Sequence, residues 1–107
     1  MILDEAEALE RLGGNKDLLK MLLTKFTGDY TALTADLTNL IQQAELDEAK
    51  RYVHSIKGAA ANLGMHELTE QARKTEEALV DTQTLTPEDI AALNQAMQDV
   101  ILASQQI

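Results

Sequence analysis

Apolar residues recur at three- and four-residue spacing along almost the whole chain, a period that predicts helices rather than strands. A short first helix opens at Asp4, with Glu7 three positions on as a capping-box acid, and stops at Gly13-Gly14. From Asn15, an N-cap residue type, Leu18, Leu19, Leu22, Leu23, Phe26, Tyr30, Leu33, Leu37, Leu40 and Ile41 trace one stripe. That stripe predicts a single long amphipathic helix, slightly bent near Gly28. A short connection around Ala44 to Leu46 leads to a third helix running from Asp47 to Leu63 and ended by Gly64. Leu68, Ala72, Thr75 and Leu79 mark a fourth, and Asp81 to Leu85 reads as a loop. Thr86, Pro87 and Asp89 open a fifth, whose inner face is Ile90, Leu93, Met97, Val100 and Ile101. Four substantial helices joined by short loops predict an all-α, antiparallel up-down-up-down bundle, with the short first helix packed as a lid at one end.

The third helix has two contrasting faces. At about 100° per residue, Ala49, Val53, Ile56, Ala60 and Leu63 share one direction, while His54 points about 140° away from it. Around His54 the same projection gathers Lys50, Arg51, Lys57, Gly58, Ala61 and Met65, with Asn62 just beyond. Glycine inside a helix costs roughly 0.5–1 kcal/mol relative to alanine, so Gly58 needs a reason, such as another backbone coming close. The expected arrangement is a docking surface with a nucleophile at its centre.

Composition narrows the partners. A chain of 107 residues builds one domain, expected here over residues 1–107, and one proline with five glycines leaves little scope for a turn-rich β fold. The formal net charge of −9 argues against nucleic acid or an anionic membrane as partner. The cations around His54 stand out against that charge and suit an acidic pocket. The lack of cysteine excludes disulfides and thiol catalysis. Zinc is not expected either: His54 and His66 have no helical i, i+4 pairing, and His66, near a helix junction, is expected to be structural or idle. No apolar run approaches the roughly 18–20 residues that span a bilayer, and no signal peptide is evident, so a cytoplasmic location is expected.

The string His54-x-Ile56-Lys57-Gly58-Ala59-Ala60-x-x-Leu63-Gly64 resembles the signature of histidine-containing phosphotransfer (HPt) domains, which relay phosphoryl groups in multistep two-component signalling. The opening Leu3-Asp4 through Leu9, Leu12-Gly13-Gly14-Asn15, then Leu18-Leu19, Leu22-Leu23 and Phe26, is similar to the family's beginning. Leu68 and Glu76 sit where the family has a leucine and an acidic or amide residue. The resemblance implies that His54 is phosphorylated by a receiver-domain aspartyl phosphate and passes the group to another receiver. Lys57 would then stabilise the phosphoryl oxygens, and Glu76 would accept a hydrogen bond from the second ring nitrogen. Lys50, Arg51, Gly58, Ala61, Asn62 and Met65 would receive the partner.

The same resemblance implies a carrier without kinase activity of its own, in keeping with the absence of any Gly-rich nucleotide loop. No cofactor is expected on this chain, since magnesium would sit on the receiver. The parent would be a free-standing relay protein or a hybrid sensor kinase whose cytoplasmic end this is, and the chain is expected to be a monomer. Two alternatives stay open: the phospho-accepting domain of a chemotaxis-type kinase, which has a similar His-x-x-Lys-Gly core, and a helical module that binds receivers without accepting phosphate.

Overall fold

A computed structural model describes residues 1–107, and every regular element in it is an α-helix. There are six: α1 (Glu5–Arg11), α2 (Lys16–Asp29), α3 (Leu33–Gln42), α4 (Leu46–Asn62), α5 (His66–Thr82) and α6 (Pro87–Ser104). The molecule is elongated, with principal extents of 42 × 21 × 19 Å. α4 packs most extensively on α5, α5 on α6, and α3 closes against both α4 and α6. Leu19, Leu33, Leu37, Ile56, Leu68, Leu79, Leu93 and Met97 fill the interior between them, each fully buried.

The expected long second helix is two. α2 ends at Asp29, and the chain turns through Tyr30, Thr31 and Ala32 before α3 begins. The buried positions Leu19, Leu23, Phe26, Leu33 and Leu37, with half-buried Tyr30 between, keep their three-and-four spacing straight across the break. The hydrophobic period therefore carries no sign of it. The break falls at Tyr30 rather than at Gly28. Tyr30 leaves the helix with its N–H on the Thr27 carbonyl, and its ring stacks between Phe26 (centroids 5.1 Å apart) and Tyr52 of α4 (5.4 Å, edge to face). Tyr52 in turn donates its hydroxyl proton to Asp36 of α3 at 2.9 Å, so the aromatic trio ties the turn to the histidine-bearing helix.

The helix ends follow local chemistry. Asn15 accepts from the Leu18 N–H, and Thr86 with Asp89 forms a reciprocal capping box behind Pro87, both as the sequence predicts. At α1 only the Asp4 arm forms, accepting from the Glu7 N–H at 3.0 Å, because the Glu7 carboxylate is turned to Arg11 and His66 instead. α4 closes in a Schellman turn: Gly64 has φ +71°, and the Met65 N–H returns to the Ala60 carbonyl at 2.9 Å. The N-terminal segment lies across this turn. The Asp4 N–H donates to the Gly64 carbonyl at 2.8 Å, the Glu67 N–H donates to the Met1 carbonyl at 3.1 Å, and Arg11 reaches the Ala61 carbonyl in the last turn of α4.

Candidate functional site

α4 is amphipathic because its sequence makes it so. Ala49, Val53, Ile56 and Ala60 are fully buried, Tyr52 and Ala59 are half-buried at the edges of that face, and His54, Ser55, Gly58 and Ala61 are exposed. His54, halfway along, is 69% exposed. Glu76 reaches it from α5, at the third turn of that helix, beside the buried Thr75 whose hydroxyl is satisfied by the Gln71 carbonyl. Because α4 and α5 lie side by side, residues 22 apart in sequence meet: His54 Nδ1 is 3.2 Å from Glu76 Oε2. An ionised carboxylate only accepts, so Nδ1 carries the proton and donates it to Glu76. Nε2 makes no hydrogen bond within the chain, on a side chain that is mostly exposed.

Lys57, one turn after His54, donates from Nζ to the other Glu76 oxygen, Oε1, at 3.1 Å. Burial is the largest influence on Glu76 and opposes its ionisation. The hydrogen bonds and charges of Lys57 and His54 together outweigh it and hold the carboxyl below its ordinary value. A depressed native value contributes stability that is complete above the unfolded-state carboxyl range, near 4.5, and is lost as pH falls through the native value. Glu76→Gln should therefore be less stable than the parent at pH 7, and the difference should shrink as pH falls below the ordinary carboxyl range and through the native value. Urea unfolding of both chains across an acid pH series measures this, and a gap that does not shrink with falling pH would show that the carboxylate's charge is not its source.

The remaining expected residues separate into those on this face and one that is not. Arg51, Gly58, Ala61 and Asn62 are exposed on α4, and Lys50 is half-buried. The ring of cations is less positive than the sequence suggests, because Lys57 is committed to Glu76 and Arg51 to Glu48, leaving Lys50 outside any ion pair. A Cβ built on Gly58 would meet no atom within 4 Å, so nothing inside the chain requires glycine there.

Met65 does not belong to this surface. It is 0% exposed, because α4 ends at Asn62 and Gly64 turns the chain, so a helical projection carried to residue 65 points it the wrong way. Its side chain instead joins Ala60 in the core, the apolar contact that accompanies a Schellman turn. Apolar surface beside α4 comes from a groove of about 480 Å³ that includes Leu12, Leu22, Phe26, Ala59 and Leu63, with Asn62 also lining it. Periodicity does not reveal that groove, because it depends on how α1 and α2 lie against α4.

His66 lies at a helix junction, where the sequence places it. It is the first residue of α5, and its Nε2 sits 2.6 Å from Glu7 Oε2 and 3.8 Å from Asp4 Oδ2. No signal in sequence spacing could have joined residues at the N-terminus to one 60 positions later. Only the crossing of the N-terminal segment over the α4–α5 turn does so.

The family model of the Hpt domain matches residues 17–103, which takes in α2 to α6 and all of the residues around His54. Searches of curated proteins and of solved structures return no match. Hpt domains are phosphoryl carriers rather than kinases, and their partners are response-regulator receiver domains. An exposed imidazole, oriented by a carboxylate from the neighbouring helix and followed one turn later by a lysine, is chemistry suited to that work. With most of its length covered by the family model, the chain belongs to the Hpt domain family, the histidine phosphotransfer modules of two-component signalling.

Proposed function

We propose that His54 is the phosphoryl-accepting residue of this Hpt domain, taking the group from a receiver aspartyl phosphate and passing it to a second receiver. The observation that carries the proposal is the hydrogen bond from His54 Nδ1 to Glu76, which leaves Nε2 as an exposed nucleophile. In the forward step the Nε2 lone pair attacks phosphorus while the bond from phosphorus to the aspartate oxygen breaks. The aspartate leaves as carboxylate with the electron pair, and the Nδ1 proton stays on the hydrogen bond to Glu76. In-line positioning and charge stabilisation supply most of the catalysis in such transfers. Magnesium on the receiver provides part of the charge, and the step needs no cofactor from this chain.

Lys57 is placed to turn from Glu76 to the phosphoryl oxygens once they arrive. Lys57→Ala should slow transfer about tenfold or more, as expected when a donor to a developing oxyanion is removed, while changing receiver affinity little. Rapid-quench transfer with a binding measurement separates the two effects. An unchanged rate would exclude this role for Lys57.

Docking is assigned to the exposed face of α4, with Lys50 and Arg51 steering, Gly58 admitting close approach, and Ala61 and Asn62 at its C-terminal end. The open space over Gly58 supports this part of the reading. The bundle itself is read as antiparallel, up-down-up-down, with α2 and α3 together as its first member. The connections of three or four residues between α3 and α4, α4 and α5, and α5 and α6 support that topology. The chain is read as a single domain and a monomer, working in the cytoplasm as a free-standing relay protein or as part of a hybrid kinase.

Incubating the protein with a panel of phosphorylated receiver domains and magnesium tests the carrier reading. Acid-labile, base-stable label on the chain is the expected result. Docking to receivers without any label would favour a pure interaction module.

A further inference from the structure

At the turn between α4 and α5, three side chains from two segments distant in sequence converge. Asp4 and Glu7 come from the N-terminal segment and His66 from the start of α5, and their candidate donor atoms all lie within 4.8 Å of one another. We propose that Asp4, Glu7 and His66 form a binding site for one zinc-type divalent cation.

The donor chemistry selects the class of ion. One imidazole nitrogen with two carboxylates suits zinc and its borderline neighbours, whereas magnesium and calcium prefer oxygen and water alone. Zinc bonds of about 2.0–2.2 Å in a tetrahedron put neighbouring ligand atoms roughly 3.3–3.5 Å apart. His66 Nε2 stands 2.6 Å from Glu7 Oε2 and 3.8 Å from Asp4 Oδ2, and the donor atoms all lie within 4.8 Å of one another, so small side-chain adjustments bring the three to coordinating positions. Three protein ligands leave a fourth position for water.

Each carboxylate has one oxygen bonded elsewhere, by the Glu7 backbone N–H at Asp4 and by Arg11 at Glu7, so that the other oxygen is the one turned to His66. Asp4 Oδ1 accepts from the Glu7 N–H at 3.0 Å, leaving Oδ2. Glu7 Oε1 is held by Arg11 at 2.7 Å, leaving Oε2. Such outer partners orient metal ligands in general, although the Arg11 charge also lowers the attraction for a cation and points to moderate affinity. The backbone bond from the Asp4 N–H to the Gly64 carbonyl sets the two segments in register before any ion arrives. Asp4 and Glu7 precede residue 17, where the family match begins, while His66 falls inside it, so two of the three proposed ligands lie outside the matched segment.

Occupancy would cross-link the N-terminal segment to the α4–α5 turn. Arg11 of that segment reaches the Ala61 carbonyl, so the cross-link would also steady the last turn of α4, beside the proposed docking face. The metal site does not depend on the phosphotransfer reading, and its test does not use transfer.

The test is calorimetric titration of zinc chloride into the tag-free 107-residue chain at pH 7.5, repeated with Asp4→Asn, Glu7→Gln, His66→Ala and His54→Gln. The expected result is one equivalent bound with Kd of roughly 1–100 μM, equivalent to an ordinary small-ligand affinity, with a rise in melting temperature on adding zinc. Asp4→Asn, which keeps its cap oxygen, and His66→Ala should each weaken binding at least about tenfold, as loss of a direct ligand does, while His54→Gln leaves it unchanged. Circular dichroism confirms that each variant is folded. Absence of binding up to millimolar zinc, persistence in His66→Ala, or loss in His54→Gln would each overturn the proposal.

Discussion

His54→Gln is expected to abolish acid-labile phosphoryl label from every receiver that labels the parent chain, without unfolding the protein or preventing docking. The argument rests on what each group can do. Imidazole Nε2 offers a lone pair near neutral pH, and a glutamine amide offers none to phosphorus. The side chain is 69% exposed, so its replacement removes one hydrogen bond to Glu76 and no core contact, and surface changes of this kind stay within about 0.5 kcal/mol. Ser55, exposed next door, could in principle carry phosphate, but a phosphoserine survives acid and would be told apart at once. His66 is the only other imidazole in the chain, and its Nε2 is engaged by Glu7. Acid-labile label that persists in the variant would move the site from His54 and remove the basis for the roles given to Lys57 and Glu76.

How much of this was legible in the sequence differs from element to element for physical reasons. The buried stripe of α4 and the exposure of His54 were legible because a 3.6-residue period maps directly onto helix faces. Lys57 was legible because one turn of helix is a local relation. Glu76 was reachable only through the family resemblance, since its meeting with His54 needs α5 to lie alongside α4 at one particular register. The break at Tyr30 was hidden because Phe26, Tyr30 and Leu33 keep the period through it, and the aromatic contact to Tyr52 that accompanies it is tertiary. Met65 was misplaced by three residues of false helix, although Gly64 was correctly read as the stop. A glycine stop fixes where a helix ends and says little about where the next side chain points.

Two glycines, one within the C-terminal half of α4 and one just past its end, should behave in opposite ways when changed to alanine, and Gly64 should show the largest stability effect of any single methyl addition here. Gly64 sits at φ +71°, a conformation that costs an L-residue about 1–2 kcal/mol. The new Cβ would also lie 2.6 Å from the Asp4 carbonyl oxygen, which is backbone and not free to swing away. That oxygen accepts from the Ala8 N–H at 3.0 Å, and the Asp4 N–H donates to Gly64 itself, so relieving the clash loosens both the start of α1 and its attachment to α4. Strain and one weakened buried hydrogen bond together give roughly 2–4 kcal/mol, and a melting temperature lower by about 10–20 °C for a domain of this size. Gly58 is helical, with open space where a Cβ would go, so Gly58→Ala should be neutral or stabilise by up to about 1 kcal/mol. Its cost should appear instead in transfer and docking, because the methyl group occupies the space proposed for a receiver. Thermal unfolding and transfer assays on the two variants separate these effects. A melting temperature within about 2 °C of the parent for Gly64→Ala, on the same size scaling, would mean that the N-terminal segment yields easily and does not brace the end of the histidine-bearing helix.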